Sequence, residues 1–222
     1  MIRLVKKPKV SLDCAEGIRI SELFKAYGDY AMFWHQDGGK AVISMLEGDM
    51  IISGKVTDYE ELSLFLGTVA PNSIFANIEV LSALDLLKNS LAVSVMESDR
   101  NYHLKEKSAV LSSADVYEIL KKAEFELPVY DCFATDFCLR LNKGRLTYFG
   151  VPETAVAICI GKKAVLINGL ASLKKGYGTR CLEGLMSNAR PEKAFVCAKK
   201  DVEGFYIKNG FKTIYQAGYW RK

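Results

Sequence analysis

The chain has 222 residues, half of them hydrophobic, which is enough to bury a sizeable core in one or two domains. No apolar run is long enough for a transmembrane helix, and the basic N-terminus, MIRLVKKPKV, lacks the apolar segment of a secretory signal. The sequence therefore predicts a cytoplasmic protein with no membrane partner.

Six cysteines and two histidines are the softer residues that could ligate a metal. The cysteines are Cys14, Cys132, Cys138, Cys159, Cys181 and Cys197. They form no CxxC pair, and most of them lie within apolar segments, which is typical of small buried residues. We therefore expect neither a structural metal site nor a disulfide framework.

Charge is distributed unevenly along the chain. Residues 1–126 carry 14 Lys and Arg against 19 Asp and Glu, whereas residues 127–222 carry 16 against 7. A basic half is typical of a domain that binds an anionic ligand, although a solvated basic face or a nucleic-acid surface would give the same balance. Neither half has arginine-rich runs or aromatic residues interleaved with basic ones, so we expect no nucleic-acid partner.

The first half begins with a predicted short helix over Ile18–Tyr27. Turn signals at Asp37-Gly38-Gly39 and Glu47-Gly48-Asp49 then separate three apolar segments, which predicts a three-stranded meander. Its strands are Ala31–Trp34, Ala41–Leu46 and Met50–Ser53. A helix over Asp58–Leu66 follows, with Asp58 as its N-cap. The half closes with a strand over Ser73–Ile78, a helix over Val80–Leu87 and a strand over Leu91–Met96.

A polar linker is predicted at residues 99–113. After it, the patterns predict an amphipathic helix over Ala114–Ala123 and, beyond Pro128, a helix over Thr135–Leu141. A second meander follows, with strands Arg145–Phe149, Ala155–Ile160 and Ala164–Asn168. The remaining predicted elements are a helix over Thr179–Asn188, a strand over Lys193–Ala198, a short helix from Asp201 to Asn209-Gly210, and a strand over Phe211–Trp220.

Both halves share one predicted order, which is three strands, a helix, a strand, a helix and a strand. Short identities support it, since Ala41-Val42 matches Ala155-Val156, and Lys88-Asn89 matches Lys208-Asn209. We therefore predict an internal repeat, with domains at residues 1–107 and 108–222. The alternative is a coincidence between two α/β meanders.

The segment from Ala164 to Leu185 predicts an apolar strand, a basic turn with two glycines and a helix. Gly176 and Gly178 can adopt backbone conformations that other residues avoid. The helix start adds free N–H groups and the positive end of its dipole, so the turn Lys174–Thr179 predicts a phosphate site. Taken alone, the pattern also fits an ordinary strand–turn–helix with surface lysines.

Two motifs in the second half resemble those of the GNAT superfamily of acyl-CoA-dependent N-acyltransferases. The family's phosphate loop has Gln or Arg first, Gly fourth, and Gly or Ala sixth, and it falls on residues 173–178, LKKGYG. The family's fourth-helix pattern, an aromatic-Tyr pair followed by Gly-Phe, falls on residues 205–211, FYIKNGF. One helix and one strand separate the motifs, as the family requires. The resemblance covers residues 127–222 and, through the repeat, weakly covers residues 31–98.

The resemblance implies an α/β (α+β) fold with a mixed, mostly antiparallel sheet flanked by helices. Through the repeat, it implies two tandem GNAT-like halves, of which the first is degenerate. It further implies acetyl-CoA as co-substrate and no metal. The residues assigned to binding the cofactor are Leu170, Ala171, Ser172, Lys174, Lys175, Gly176, Tyr177, Gly178 and Thr179.

Each part of this set has its own implied role. The N–H groups of Gly176 to Thr179 would bind the pyrophosphate, and the main chain of Gly169–Ser172 would pair with the pantetheine arm. A backbone donor near Leu170 or Ala171 would polarise the thioester carbonyl.

Tyr206 is the candidate catalytic residue. The resemblance implies that its hydroxyl protonates the departing thiolate. The alternative is that Tyr206 is a core residue, which is usual for an aromatic side chain on a short helix. Its counterpart in the first half is Leu86, so that half has neither the phosphate loop nor the tyrosine.

The segment between the strand and the loop is shorter than in the family and has no proline, and the sequence also departs from the family pattern at two single positions. Leu173 stands where the loop usually has Gln or Arg, so one hydrogen bond to phosphate is lost or comes from Lys174. An Asn that often precedes the fourth helix is replaced by Lys199 or Lys200.

Several other residues remain open at this point. No general base is evident, and the candidates are Glu153, Glu183 and Asp136, each of which also fits a solvated surface charge. We expect Trp34 to lie in the core and His35 to be a packed residue. Trp220 fits either a cleft wall or a cap on the sheet.

These observations favour an N-acetyltransferase in which an amine attacks acetyl-CoA directly. The acceptor would be a small-molecule or peptide amine. The alternative is a non-catalytic GNAT-fold module that binds coenzyme A or a partner, and a nucleic-acid-binding domain is a weaker third hypothesis. The sequence does not indicate the oligomeric state.

Overall fold

The computed structural model describes residues 1–38, 40–102 and 107–222. Gly39 of the predicted turn and residues 103–106 of the predicted linker, including His103, lie outside the described residues. The chain divides into two compact units. Unit 1 consists of Met1–Glu97 with Val196–Lys222, and unit 2 consists of Ser98–Phe195.

Within residues 1–38 and 40–102 the structure describes nine helices and strands. In chain order they are β1 (Ile2–Leu4), α1 (Ala15–Tyr27), β2 (Met32–Gln36), β3 (Val42–Leu46), β4 (Asp49–Ser53), α2 (Tyr59–Val69), β5 (Ser73–Asn77), α3 (Ile78–Ala83) and β6 (Ser90–Ser98). Short 3₁₀ turns lie at Gly28–Tyr30 and Leu87–Asn89.

Within residues 107–222 the structure describes nine further helices and strands. They are α4 (Ser113–Lys122), α5 (Tyr130–Asn142), β7 (Leu146–Val151), β8 (Ala155–Gly161), β9 (Ala164–Ser172), α6 (Tyr177–Ala189), β10 (Lys193–Ala198), α7 (Glu203–Lys208) and β11 (Lys212–Arg221). The predicted order of three strands, helix, strand, helix and strand is present in both halves. The degeneracy of the first half stays a prediction.

The sheet of unit 1 has the strand order β1-β2-β3-β4-β5-β11-β6. β4 and β5 are parallel, and the other neighbours in this unit are antiparallel. Because β11 lies between β5 and β6, the last residues of the chain complete unit 1. The division after residue 107 concerns the repeat and stays a prediction, whereas the compact units divide the chain elsewhere.

Alternating side chains of β2 show how unit 1 builds its core on both faces of the sheet. Trp34 packs in one cluster with Ile43, Ile52 and Leu62, and its ring contacts Phe65 of α2 at 5.1 Å between centroids. The neighbouring Phe33 packs on the opposite side with residues of α1. The predicted core position of Trp34 is therefore confirmed.

Unit 2 contains the antiparallel strands β7, β8 and β9. Every residue of β8 is buried, as expected for a strand with both faces covered. α6 packs on one face, where Gly184 lies so close to the Phe149 ring that a Cβ would come within 2.4 Å of it. α4 and α5 contribute Ile119, Leu120 and Phe137 to a second core cluster.

Most of the predicted bounds differ from the observed ones, and β1 (Ile2–Leu4) has no counterpart among the predicted elements. α1 begins at Ala15 because the Cys14 sulfur accepts a hydrogen bond from the Gly17 N–H and caps the helix. α5 begins soon after Pro128, at Tyr130, and α3 ends earlier than predicted, at Ala83. α6 begins at Tyr177 instead of Thr179, and β9 continues to Ser172. Among the described residues, no helix combines the length and apolar character needed to cross a bilayer.

Candidate functional site

The connection between β9 and α6 carries the predicted phosphate loop. Gly176 is the N-cap of α6 and has φ 90° and ψ −22°, in the left-handed region that favours glycine. No side chain caps this helix start. Inside the turn, the Ser172 hydroxyl donates a hydrogen bond of 2.6 Å to the Lys174 carbonyl oxygen, which fixes the exit from the strand.

The helix start is open to a ligand. The N–H groups of an N-cap and the first three helical residues have no acceptor within the helix, and here they belong to Gly176, Tyr177, Gly178 and Thr179. The Tyr177 nitrogen lies 3.4 Å from the Lys174 carbonyl oxygen, at the outer limit of a hydrogen bond. A Cβ on Gly176 would meet nothing within 4 Å. The N–H groups of Gly176, Gly178 and Thr179 therefore have no side-chain cap, whereas the Tyr177 N–H already has a weak backbone acceptor.

Three cations lie around this helix start. Lys174 and Lys175 are exposed, as the sequence predicts. The Arg180 guanidinium lies 5.4 Å from the centroid of the Tyr177 ring, a contact that the motif did not indicate. Together with the helix dipole, these groups make the loop electropositive.

The backbone of β9 changes register before it reaches the loop. Ile158 is opposite Gly169 and Cys159 is opposite Ile167, so the pairing skips Asn168 and forms a β-bulge. A bulge bends its strand and redirects the residues that follow. This accounts for the longer strand, because Gly169–Ser172 continue to pair with β8 beyond the bulge.

The direction of the main-chain groups follows from one hydrogen bond beyond β9. The Leu173 N–H donates to the Thr154 carbonyl oxygen at 2.8 Å. Opposed residues in an antiparallel pair alternate between hydrogen-bonded and non-hydrogen-bonded positions. Leu170 and Ser172 therefore turn their N–H and C=O groups away from β8, whereas Ala171 faces it. Of the two donors that the resemblance implied, only Leu170 has an N–H group that points away from β8.

Tyr206 lies on α7 in unit 1. Its ring makes edge contacts with Phe205 at 5.1 Å and with Phe211 at 5.6 Å, and the residue is 7% exposed. Burial and the neighbouring Cys197 raise the pKa of Tyr206 to about 12. The hydroxyl is therefore protonated at neutral pH and can act as a donor.

A buried polar cluster in unit 1 was missed by sequence reasoning. Glu16, in the first turn of α1, is 3% exposed, and one of its carboxylate oxygens, Oε2, accepts a hydrogen bond of 2.5 Å from the Tyr215 hydroxyl. Tyr215 also accepts a hydrogen bond of 3.0 Å from the Ala15 N–H. The other carboxylate oxygen, Oε1, has no hydrogen-bond partner among the described residues. Burial raises the pKa of Glu16, although Tyr215 and Arg19 lower it.

Arg19 lies one turn further along α1, in the same cluster. Its guanidinium carbon is 4.5 Å from the Phe75 ring centroid and 5.3 Å from that of Tyr219, and the guanidinium donates a hydrogen bond to the Tyr219 hydroxyl. Its Nε is shielded from solvent and has no partner in the part of the chain that the structure describes. Glu16 and Arg19, which have opposite charges, thus each have one buried polar atom without a hydrogen-bond partner among the described residues.

Cys197 connects this cluster to Tyr206. Its thiol makes hydrogen-bonding contacts with Arg19 and Tyr219. It is also close enough to Tyr206 to raise the pKa of that hydroxyl. The candidate acid and the buried pair of charges therefore belong to one neighbourhood of unit 1.

The remaining candidates have ordinary surroundings. The Asp136 carboxylate pairs with Arg140 at 2.7 Å, and Glu153 is exposed in the turn before β8. Glu183 is partly buried on α6, and His35 is partly buried on β2 opposite Val42. The structure therefore selects none of the three carboxylates as a base.

Leu173 and Trp220 also have defined places. The Leu173 side chain is 37% exposed, so no polar group stands at the first position of the loop. Trp220 is partly buried against the core cluster of unit 1.

The six cysteines are free thiols. In the residues described, no group of three His, Cys, Asp or Glu side chains could hold a metal ion.

The architecture matches those of several solved structures. A GCN5-related N-acetyltransferase from Kribbella flavida matches with a TM-score of 0.62 and 13% identity, over 92% of this chain and 95% of that chain. A tandem GNAT protein from the clavulanic acid biosynthesis pathway matches with a TM-score of 0.57 and 13% identity, over 97% of this chain and 89% of that chain. A GNAT-family acetyltransferase from Colwellia psychrerythraea matches with a TM-score of 0.55 and 10% identity, over 100% of both chains.

Comparison of the sequence itself gives a different result. No protein-family model and no curated protein matches it. At identities of 10–13% the structural likeness shows the fold alone. The chain has the GNAT fold, and the predicted fold class, a mostly antiparallel sheet flanked by helices, is confirmed.

Proposed function

Because the chain has the GNAT fold, we propose that it is an N-acetyltransferase that transfers the acetyl group of acetyl-CoA to an amine. The acceptor amine belongs to a small molecule or a peptide. The uncapped start of α6 is the observation that carries this proposal, because it combines N–H groups that no side chain caps with three nearby cations.

The pyrophosphate of acetyl-CoA would lie at the N–H groups of Gly176, Tyr177, Gly178 and Thr179. The left-handed conformation of Gly176 lets the chain turn into the helix without a side chain over this spot. Lys174 and Lys175 add charge that a phosphate, but not a neutral ligand, would use.

The pantetheine arm would run along the β9 segment after the bulge. Leu170 and Ser172 direct their main-chain groups away from β8, which is the orientation that pairing with an amide-containing arm requires. We assign the thioester-polarising donor to Leu170 instead of Ala171, since the latter bonds within the sheet. A fixed N–H of this kind stabilises the oxyanion that forms on attack.

Transfer would proceed by direct attack. The nitrogen lone pair of the neutral amine forms a C–N bond to the thioester carbonyl carbon, the C–S bond breaks, and the sulfur leaves with the electron pair. The amine nitrogen loses its proton, and the sulfur gains one. The products are an amide and coenzyme A with a free thiol.

Tyr206 would donate a hydrogen bond to the sulfur as it leaves. Its pKa of about 12 keeps the hydroxyl protonated throughout the physiological range. A thiol ionises near pH 8.5, roughly, so the leaving thiolate is a weaker base than the Tyr206 phenolate. We therefore expect a hydrogen bond from Tyr206 to the departing sulfur to supply most of the stabilisation.

The test compares acetyl-CoA with S-acetyl-pantetheine, which has the same thioester but no pyrophosphate. Isothermal titration calorimetry should give acetyl-CoA an affinity that is about 100-fold higher, since several charge-assisted hydrogen bonds distinguish the two ligands. Thiol release with a panel of amines then measures turnover. Lack of acetyl-CoA binding at about 1 mM ligand would refute the proposal.

A non-catalytic module that binds coenzyme A is the second candidate. The observation that favours it is Leu173, because its exposed aliphatic side chain gives phosphate no hydrogen bond. Tight binding of acetyl-CoA without thiol release against any amine would support this alternative over the enzyme.

A further inference from the structure

The helix that carries Tyr206 is short and depends on its neighbours for its position. α7 has six residues, which is fewer than an isolated helix needs to be stable in water. Val202 is its N-cap and makes no side-chain capping bond. Contacts outside the helix must therefore fix where α7 lies in unit 1, and with it the position of the Tyr206 hydroxyl.

The C-terminal end of α7 is fixed by the residues that follow it. The Asn209 side-chain amide donates a hydrogen bond of 2.8 Å to the Phe205 carbonyl oxygen, and Asn209 is 6% exposed. The Phe211 N–H donates a hydrogen bond of 3.0 Å to the Tyr206 carbonyl oxygen. These contacts are local in sequence and close the end of the helix. They do not reach its first turn.

The first turn of α7 is held by a hydrogen bond from a distant strand of unit 1. The Ser94 hydroxyl of β6 donates to Glu203 Oε1 at 2.5 Å, across 109 residues of sequence. Ser94 is 6% exposed, and Glu203 is partly exposed in the first helical turn, where the helix dipole favours a negative charge. A hydroxyl that donates to a carboxylate forms a short and strong hydrogen bond, so this contact attaches α7 to β6.

Glu203 and Tyr206 are three residues apart and therefore lie on the same face of α7. A contact that fixes the Glu203 side chain also limits rotation of the helix about its axis, which would displace the Tyr206 ring. We propose that Ser94 and Glu203 are positioning residues that hold the Tyr206 hydroxyl in place for the departing sulfur. This inference rests on the proposed acetyl transfer, in which Tyr206 is the donor.

The Ser94–Glu203 contact would act on the place of the hydroxyl, whereas burial and Cys197 raise its pKa. Catalytic contacts depend strongly on geometry, and a misplacement of about 1 Å can cost about 100-fold in rate. Loss of one hydrogen bond a single turn away from Tyr206 should displace the hydroxyl by less than that. We therefore expect kcat to fall about 10-fold when the contact is removed.

The first experiment removes the donor. In a thiol-release assay, Ser94→Ala should lower kcat about 10-fold without changing acetyl-CoA affinity, and Ser94→Thr, which keeps a hydroxyl, should restore most of the rate. Ser90→Ala is the matched control, because the Ser90 hydroxyl lies on the same strand and donates at 2.8 Å to the Leu86 carbonyl oxygen. Equal losses of kcat in Ser94→Ala and Ser90→Ala would assign Ser94 to the fold alone.

The second experiment removes the acceptor. Glu203→Ala should lower kcat as much as Ser94→Ala does, whereas Glu203→Gln keeps an oxygen and should lose only about 2- to 3-fold, because its hydrogen bond lacks the charge. The losses in a variant with both alanines should not add, since one contact accounts for both. Additive losses would contradict a shared role of Ser94 and Glu203.

The third experiment repeats Ser94→Ala in a Tyr206→Phe background, and its outcome separates positioning from folding. A residue that acts only by placing the Tyr206 hydroxyl has no effect once that hydroxyl is absent, so kcat should fall no further. A further fall of about 10-fold would overturn the proposal. Full activity of Ser94→Ala beside an active wild type would refute this inference alone. A wild type that releases no thiol with any amine would refute the proposed transfer, and this inference with it.

Discussion

Two connections occupy corresponding places in the order of elements but end in different ways. In unit 1, β4 leads to α2, and Asp58 caps that helix through a hydrogen bond of 2.9 Å from the Glu61 N–H to Asp58 Oδ1. In unit 2, β9 leads to α6, whose N-cap is Gly176, and no side chain caps it. The first helix start satisfies one of its N–H groups with a side chain, and the second has no such cap.

Charge and packing reinforce this contrast. Glu60 and Glu61 lie in the first turn of α2, whereas the first turn of α6 contains no acidic residue. In the first connection, the Thr57 N–H donates to the Gln36 side chain at 2.9 Å. A Cβ on Gly54 would come within 2.2 Å of the Lys40 carbonyl oxygen. The residues of this connection in unit 1 therefore stabilise the fold. This fits the prediction that the second half alone binds acetyl-CoA.

We expect the largest effect on kcat from a change at Tyr206, whose counterpart in the first half is Leu86. Tyr206→Phe removes the hydroxyl but keeps the ring contacts with Phe205 and Phe211. We expect kcat to fall about 100-fold with unchanged acetyl-CoA affinity, because the proton donor acts only as the sulfur leaves. Steady-state kinetics and calorimetry measure the two quantities. Tyr59→Phe is the control, and equal losses of kcat and affinity in Tyr206→Phe would make Tyr206 structural.

Gly176→Val tests the open helix start directly. The left-handed conformation strains a residue with a side chain by about 1–2 kcal/mol, so the loop should shift and acetyl-CoA affinity should fall about 10-fold or more. Gly144→Val is matched to it, because Gly144 lies in the same unit with φ 60° and also has open space around its Cβ position. A similar loss of affinity in both variants would show that strain, and not the loop, is responsible.

A smaller effect is expected from the lysines of the loop. Replacing Lys174 and Lys175 together with Ala should weaken acetyl-CoA binding about 5-fold at low salt and less at high salt, because exposed charges are screened. Lys121→Ala with Lys122→Ala removes the same exposed charge at the end of α4 and should have no effect. Calorimetry at two salt concentrations measures the difference, and a salt-independent loss would contradict an electrostatic role.

Asp58→Ala should leave acetyl-CoA binding unchanged. Loss of the cap at α2 should destabilise the protein by about 1 kcal/mol and lower the melting temperature by about 2–4 °C. Calorimetry checks the acetyl-CoA affinity, and thermal denaturation checks the loss of stability. Altered acetyl-CoA affinity would contradict the proposed difference between the two connections, because it would indicate that the capped helix start also affects ligand binding.

Patterns of neighbouring residues in the sequence predicted most of the differences between the β4–α2 and β9–α6 connections. The Asp58 cap and the glycine loop depend on residues that are neighbours in sequence, and the structure contains the cap and an uncapped glycine at the loop. The bulge at Asn168 had no local signal, because it depends on the register with β8. For that reason the predicted strand stopped four residues before Ser172.

The buried polar cluster around Glu16 and Arg19 could not be predicted either, because it also depends on contacts between residues that are distant in sequence. Glu16 and Tyr215 are 199 residues apart in sequence, and their contact exists only after β11 has joined the sheet. One signal was available, since Glu16 and Arg19 interrupt an otherwise apolar stretch at a spacing that places both on one face of α1. Two opposite charges on a core-facing side of a helix indicate a buried polar site, whatever its purpose.

The insertion of β11 between β5 and β6 has a consequence for how the chain is made. Tyr219 pairs with Phe75 on one side and with Leu91 on the other. More than a hundred residues are therefore synthesised after β5, and again after β6, before β11 can pair with them. Until then both strands keep unpaired edges, which are prone to association with other chains. Closure over so long a sequence separation is also slow. We therefore expect unit 2 to fold during translation and unit 1 to be the part of the nascent chain that depends on chaperones.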